Sequence, residues 1–403
     1  MPRGGALRSV LRFKPIERDP DKRRLARVAS VDDLRRIARR RLPRGVFDYV
    51  DGGAEDELTL ARNVTGFAAL EFRPRVLRDV DKVDTSCSLF GRQMPLPLIL
   101  APTGFTRIVT PDGELAVARA SAAANLPYTL STMSTRSIEE VAAVSDGPKW
   151  FQVYVWRDRG LVKDMLERAA SSGYEGIMIT VDTAVLGRRE RDVRAGFTMP
   201  PQLGPGTLID GALHPAWTLA FARSDPITFA NVTGHGGDAI SLSGFVTEQF
   251  DPSLSWADIE WFRDNWAGRI MIKGIQTVDD AQLAVEHGID GIALSNHGGR
   301  QLDGAPPPIE LVAPVRDAIG DAAVVICDGG VRRGSDIVKA VALGADACMI
   351  GRAYLYALGA AGETGVTWLL RNLRAGVERT LVLLGATSLA DLTPDLVVQR
   401  PGV

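Results

Sequence analysis

Short apolar runs recur along the chain at intervals that fit alternating strands and helices. Eight read as buried strands: Leu96–Ala101, Tyr128–Leu130, Trp150–Val155, Gly176–Val181, Ile270–Lys273, Gly291–Leu294, Ala323–Cys327 and Ala347–Ile350. Each is short and bounded by Gly, Pro, Asp or Asn, the pattern of a strand covered on both faces. Amphipathic stretches between them, Asp112–Asn125, Arg159–Ser172, Thr277–His287 and Gly334–Leu343, predict helices, and Gly288 and Gly344 stop the last two. An earlier helix is predicted to start after Ser30, an N-cap, with Asp32 and Asp33 at the positive end of its dipole. Strands start roughly 20–35 residues apart, the length of a βα unit. One interval, between the fourth and fifth strands, is far longer. It contains Pro200-Pro201, Gly204-Pro205-Gly206 and Gly234-His-Gly-Gly237, and predicts one helix plus a long loop.

Eight strands with eight crossovers predict an α/β fold, a (β/α)8 TIM barrel with a long loop insertion after strand 4. A doubly wound sheet competes, but its GxGxxG fingerprint is absent, as is GxxxxGK[ST]. The chain divides into a basic N-terminal arm (1–29), the barrel (30–398) and a short tail (399–403).

Composition changes this picture little. The 403 residues are 45% apolar and 24% charged, which excludes a disordered or collagen-like chain. No apolar run approaches the ~18 residues of a membrane span. Cys87, Cys327 and Cys348 are far apart with no CxxC, which argues against a disulfide scaffold or a zinc ribbon and for a reducing compartment. Charge is uneven: the net is −2, yet residues 1–44 carry +10 and the remainder −12. A basic arm on an acidic body reads as a solvated arm, or as contact with an anionic surface. The first sixteen residues hold bases and no acid, but lack the apolar core of a secretory signal. A cytoplasmic protein is expected, with no metal and no nucleic-acid partner, and with possible peripheral contact at the inner face of the cell membrane.

In a barrel, chemistry gathers where strands end. The strand ends here supply Ala101-Pro102-Thr103, Ser131, Gln152 and Tyr154, Thr180 and Asp182, Lys273, Ser295-Asn-His297-Gly-Gly-Arg300, Asp328-Gly-Gly330-Val-Arg332-Arg-Gly334, and Gly351-Arg352. The last two turns join glycines, arginines and helix starts on adjacent strands, an anion site of the kind that holds phosphate. Ser131, Gln152, Thr180 and Lys273 suit the edge of an isoalloxazine ring, with Lys273 facing the N1–C2 edge that becomes anionic on reduction. Lys273 could instead form a Schiff base, as in an aldolase or a pyridoxal enzyme. His297 is one of four histidines and the one at a strand end. It suits proton transfer, with Asp182 orienting it. Arg189 and Arg300 can grip a carboxylate with forked hydrogen bonds, although Arg189 also reads as part of a solvated charge run and Asp182 as an N-cap.

These residues resemble the FMN-dependent L-2-hydroxy-acid oxidases and dehydrogenases. The resemblance runs from about residue 30 to 398 and includes Phe47-Asp-Tyr49, Gly53-Ala-Glu-Asp56, Phe72-Arg-Pro-Arg75, Thr180-Val-Asp182, Leu186-Gly-Arg-Arg189, Ser295-Asn-His-Gly-Gly-Arg-Gln-Leu-Asp303 and Asp328-Gly-Gly-Val-Arg-Arg-Gly334. It implies FMN as cofactor and oxidation of a 2-hydroxy acid. His297 is then the base that removes the hydroxyl or the α-proton, and Asp182 is its partner. Arg189 and Arg300 hold the carboxylate, and Tyr49 and Tyr154 bond the carboxylate and hydroxyl. Pro102, Thr103, Ser131, Gln152, Thr180, Lys273 and Ser295 serve the flavin and ribityl chain. Asp328, Gly330, Arg332, Gly351 and Arg352 serve the ribityl–phosphate end. The resemblance further implies a homotetramer and an electron acceptor: a quinone, a cytochrome or O2.

Met133 stands where glycolate oxidase has Trp, which leaves room for lactate or larger acids. The closest likeness is to bacterial L-lactate dehydrogenases of this family, and the arm before the barrel is expected to be too short for a haem domain. The alternatives are an oxidase making H2O2, a Schiff-base aldolase and a non-catalytic flavin-binding barrel. Trp217, Phe221 and Phe229 in the long insertion are expected to dip into a membrane, cover the substrate or pack on the barrel.

Overall fold

The computed structural model describes residues 17–196, 204–232 and 249–400. Most of the basic arm, Pro200-Pro201, Gly234–Gly237 with His235, and residues 401–403 lie outside them. All eight predicted strands form: β1 (Leu98–Leu100), β2 (Tyr128–Ser131), β3 (Lys149–Tyr154), β4 (Gly176–Thr180), β5 (Arg269–Ile275), β6 (Gly291–Ser295), β7 (Val324–Asp328) and β8 (Ala347–Ile350). They close into a parallel barrel in chain order, with β8 paired to β1.

Alternation along each strand explains the layers. Ile99, Trp150, Met178, Met271, Ala293, Ile326 and Met349 form an inner cluster, while their neighbours, such as Ile177 and Ile179, join the outer core under the helices. A hairpin, Cys87–Leu89 with Arg92–Met94, closes the floor, its Leu89 and Met94 joining the inner cluster. Phe90 at its tip meets Trp150 edge-on at 5.7 Å. Two residues further along several strands, the inward positions turn polar: Gln152, Thr180, Lys273, Ser295 and Asp328. The dry interior therefore ends in a polar rim at the carboxyl ends.

The helices begin where the sequence marks them. Ser30 caps Val31–Arg41 through a capping box with Asp33, Asp158 caps Arg159–Ser171, and Thr277 caps Val278–Glu286. Gly288 and Gly344 stop their helices at φ +69° and +108°, where a side chain is disfavoured. Between the arm and the barrel strands lie the helices Val31–Arg41, Arg44–Asp51 and Leu58–Ala68, and the C-terminal helical segment Arg352–Leu384, kinked at Ala361-Gly362, packs along the first of them. In the described part of the arm, the helix Pro20–Leu25 packs on that C-terminal helix and buries Leu25. Val397–Gln399 pairs with Leu70–Phe72, so the first residue of the tail belongs to a sheet.

The interval after β4 is more helical than its Pro and Gly content predicts. Its described residues form four helices, Glu190–Arg194, Pro205–Leu213, Pro215–Ala222 and Asp258–Asn265. Two of the prolines occupy first helical positions, where proline favours the helix. Phe229 is buried against Phe105, and Trp217 donates from its indole N–H to the Ile108 carbonyl at 2.8 Å, so both pack on the body. Phe221 stacks on Trp217 and stays exposed.

Candidate active site

A cavity of about 410 Å³ opens at the polar rim. Pro102, Thr103, Met133, Tyr49, Tyr154, Arg189, Lys273, His297, Arg300, Asp328, Gly330, Arg332, Gly351 and Arg352 line it. Ser131, Gln152, Thr180 and Ser295 are buried in the strand ends beneath them. Asp182 stands behind His297.

His297 follows β6 in a left-handed turn at φ +56°, a conformation that costs a histidine energy and is held by its surroundings. Its backbone N–H donates to Ser295 Oγ at 3.0 Å. Nδ1 lies 3.0 Å from Asp182 Oδ1, which leaves Nε2 for the substrate. Burial holds the imidazole below its ordinary pKa; Lys273 and Arg300 add to that, and Asp182 opposes it. Burial would raise the Asp182 carboxyl, but the charge and hydrogen bond of His297, with Lys273, keep it below the ordinary range. The pair is therefore a neutral base beside a carboxylate that stabilises its protonated form. Gly274 makes room for it: a Cβ there would lie 2.7 Å from Asp182 Cβ.

Arg300 sits over the Tyr49 ring at 5.1 Å, and its Nη1 donates to the carbonyls of Tyr49 and Gly52. Arg352 donates to the carbonyls of Val50, Gly52 and Gly298. Two arginines thus cap the carbonyl end of Arg44–Asp51 and fix Tyr49 at the cavity, a favourable pairing of cations with the negative helix end. Burial, then the nearby Arg189 and Arg352, lower the Arg300 pKa, as expected of a cation awaiting an anion. Tyr154 lies nearly parallel to the His297 ring, 6.5 Å away, and burial raises its phenol.

Gln152 Nε2 and Thr180 Oγ1 are buried without a partner, two orphans in the inward polar layer. Ser131 Oγ donates to Gln152 Oε1 at 2.8 Å, fixing the amide. Lys273 is fully buried, 3.0 Å from Asp328 Oδ2, and donates to Ser295 Oγ. Burial would lower its pKa; Asp328 and Asp182 more than offset that, so it stays charged. A flat ring with polar edges fits these donors, and the residues fit FMN. At the other end the anion site differs from its predicted form. The backbone N–H groups of Arg332 and Arg333 are already taken by Asp336 Oδ2, so that helix caps itself. The glycine turn Gly329-Gly330, the Arg332 side chain and the N-terminus of Arg352–Leu384 remain for phosphate. Gly330 is required there: at φ +81°, its Cβ would fall 1.8 Å from the Asn63 carbonyl oxygen.

Some participants escaped sequence reasoning. Asn63 lines the cavity from the middle of a helix, Phe250 packs edge-on against Tyr154 at 5.4 Å, and Asp192 lies beside Arg189. Arg191, from the same charge run as Arg189, is no surface charge; it ties its helix to Asp51 at 2.6 Å and to Glu57. A buried asparagine inside a helix was the one visible signal; Phe250 has none, being remote in sequence.

A barrel whose polar rim gathers a histidine, two arginines and two tyrosines around one cavity is the arrangement expected of a flavin-dependent oxidoreductase. A sequence profile described as FMN-dependent dehydrogenase matches residues 38–399. The chain belongs to the FMN-dependent dehydrogenase family and uses FMN. It is 44% identical over 377 residues to an L-lactate dehydrogenase of Caulobacter vibrioides, covering 93% of this chain and 98% of that one. An L-lactate dehydrogenase of Haemophilus influenzae is 43% identical over 375 residues, covering 92% of this chain and 98% of that one. Among solved structures, a monotopic membrane (S)-mandelate dehydrogenase matches with a TM-score of 0.90 and 40% identity, covering 93% of this chain and all of that one.

Proposed function

We propose that the protein oxidises a short L-2-hydroxy acid, L-lactate to pyruvate, and passes the electrons to a quinone or cytochrome. The observation that carries this reading is the convergence of His297, Arg189, Arg300, Tyr49 and Tyr154 on one cavity that also reaches Lys273 and Arg332. Arg189 and Arg300 bind the carboxylate, which turns the α-carbon toward the ring site. Tyr154 holds the hydroxyl, and His297 Nε2 takes the hydroxyl or α-proton while Asp182 carries the counter-charge. Lys273, Gln152, Thr180, Ser131 and Ser295 hold the flavin ring and ribityl chain, with Pro102 and Thr103 beside them. Asp328, Gly330, Arg332, Gly351 and Arg352 serve the ribityl–phosphate end. FMN, when bound, accepts the two electrons lost by the substrate. The test is anaerobic bleaching of the bound flavin by L-lactate, glycolate and L-mandelate, followed by reoxidation with a quinone, cytochrome c or O2. Fastest bleaching by L-lactate and reoxidation by the quinone or cytochrome are expected. Fast reoxidation by O2 with peroxide release makes the protein an oxidase.

The catalytic unit spans 30–398, flanked by the arm 1–29 and the tail 399–403. It acts as a homotetramer in the cytoplasm, peripherally bound to the inner face of the membrane. Among the described residues no helix is long and apolar enough to cross a membrane. The helical pair Pro205–Leu213 and Pro215–Ala222 supports surface contact, because Leu208, Ile209, Leu213 and Leu219 are each more than half exposed. Anionic vesicles should sediment the protein in a salt-sensitive way, and a Leu208→Ser, Ile209→Ser, Leu213→Ser variant should stay in solution. Equal behaviour of both proteins removes the membrane reading. Light scattering at four times the chain mass tests the tetramer.

A further inference from the structure

We infer that Asp192 sets the charge of the carboxylate clamp and restricts the cavity to substrates bearing one negative charge. The inference rests on the reading of Arg189 and Arg300 as that clamp. Asp192 lies in the helix Glu190–Arg194, one turn from Arg189, and faces the same cavity as Arg189, Arg300 and His297. Its side chain is 12% exposed, and Oδ1 is buried with no hydrogen-bond partner. Oδ2 stands 4.0 Å from Arg189 Nη1, a charge contact too long for a hydrogen bond. Arg189 Nε is likewise buried and unpartnered.

A carboxylate left this bare inside a site is costly, beyond what its place in the first turn of a five-residue helix offsets. What it does have is electrostatic reach. Burial raises its pKa, Arg300 and then Arg189 counteract the rise, and Asp48 adds to it. Arg300 in turn loses part of its attraction for anions to Asp192. Of the clamp's two positive charges Asp192 cancels one, and the other is matched by a single substrate carboxylate. Asp182 takes no part in this balance at the clamp, because it faces His297 and becomes the counter-charge of the imidazolium. A second carboxylate on the substrate then enters a desolvated site in which Lys273 is already paired with Asp328 and Arg352 with backbone carbonyls. A hydroxy diacid of suitable size is rejected by repulsion, the usual route to discrimination between ligands of like shape.

The test compares butyrate and succinate, four-carbon acids of one and two charges, as equilibrium ligands of the oxidised holoprotein. Binding is read from the flavin absorbance change, without turnover. In Asp192→Asn the succinate affinity should rise about tenfold or more relative to butyrate, the size expected of one unit charge removed at close range in a partly buried site. Asp192→Glu should keep the parent ratio, and Asp192→Ser should follow Asn if the helix tolerates it. The ratio of L-malate to L-lactate kcat/KM should move the same way. An unchanged succinate-to-butyrate ratio in both neutral variants overturns the role of Asp192 while leaving the clamp intact. Failure of butyrate to bind the parent, or equal butyrate affinity in Arg300→Lys, means that the clamp itself is misassigned, and the inference falls with it.

Discussion

Asn63 and Asn296 exchange amide hydrogen bonds, at 2.8 and 2.7 Å, with both side chains buried. Asn296 also donates to the Pro306 carbonyl and accepts from the Gly299 N–H. A helix that precedes the barrel is thereby fastened to the turn that carries His297. Asn63→Ala leaves the Asn296 amide short of a partner in a dry place, at a cost of about 1–3 kcal/mol. Chemical denaturation should show a lower midpoint at unchanged slope. An unchanged midpoint means that the turn is held without this bridge.

His297→Gln should abolish substrate bleaching of the flavin while the protein stays yellow, since His297 is assigned to proton transfer. Stopped-flow absorbance under anaerobic conditions decides it: bleaching at the parent rate places the base elsewhere.

The protonated imidazole cannot accept a proton, so activity falls as pH drops through the His297 pKa. Burial lowers that pKa, and the acid limb of kcat/KM should therefore lie below about 6.5. Asp182 is the group that raises it. Asp182→Asn should accordingly shift the limb to still lower pH as well as slow the reaction. A limb that moves to higher pH contradicts the assignment.

Arg300→Lys keeps a charge but loses the fork, and it also loses two bonds to the carbonyls around Tyr49. KM for the hydroxy acid should rise by about tenfold or more, the scale of a lost charge-assisted bond. Steady-state kinetics with unchanged KM would remove Arg300 from the clamp.

Gly330→Ala should be among the most damaging small changes, because backbone and not a movable side chain occupies the space a methyl needs. Expected are a lower melting temperature and loss of FMN on gel filtration. Retention of FMN at parental stability is the contrary outcome.

The barrel was legible because buried parallel strands read as compact apolar runs, and all eight fall where those runs lie. The motif Ser295–Asp303 likewise announces a turn rich in glycine around a histidine. The Pro and Gly content of the long insertion reads as one helix and a loop, yet Pro205 within Gly204-Pro205-Gly206 starts a helix, and Pro215 starts another. Asp336 was invisible as the acceptor of the Arg332 and Arg333 amides, since an acid in a first helical turn is ordinary. Phe250 and Asp192 could not be foreseen. One reaches Tyr154 across 96 positions of chain, and the other matters through what its carboxylate fails to touch.

The hairpin at the floor of the barrel has a consequence for traffic. Leu89, Phe90 and Met94 stopper the amino end, and Gly291 is so tightly covered that a methyl group there would lie 2.8 Å from Phe90. Nothing passes through the barrel along its axis. Among the described residues the way to the polar rim is from the carboxyl ends, so a substrate and an acceptor that both reach the rim would compete for the same side of the barrel. An encounter complex holding both at once would be disfavoured, and double-reciprocal initial-rate plots for one partner at several levels of the other should run parallel.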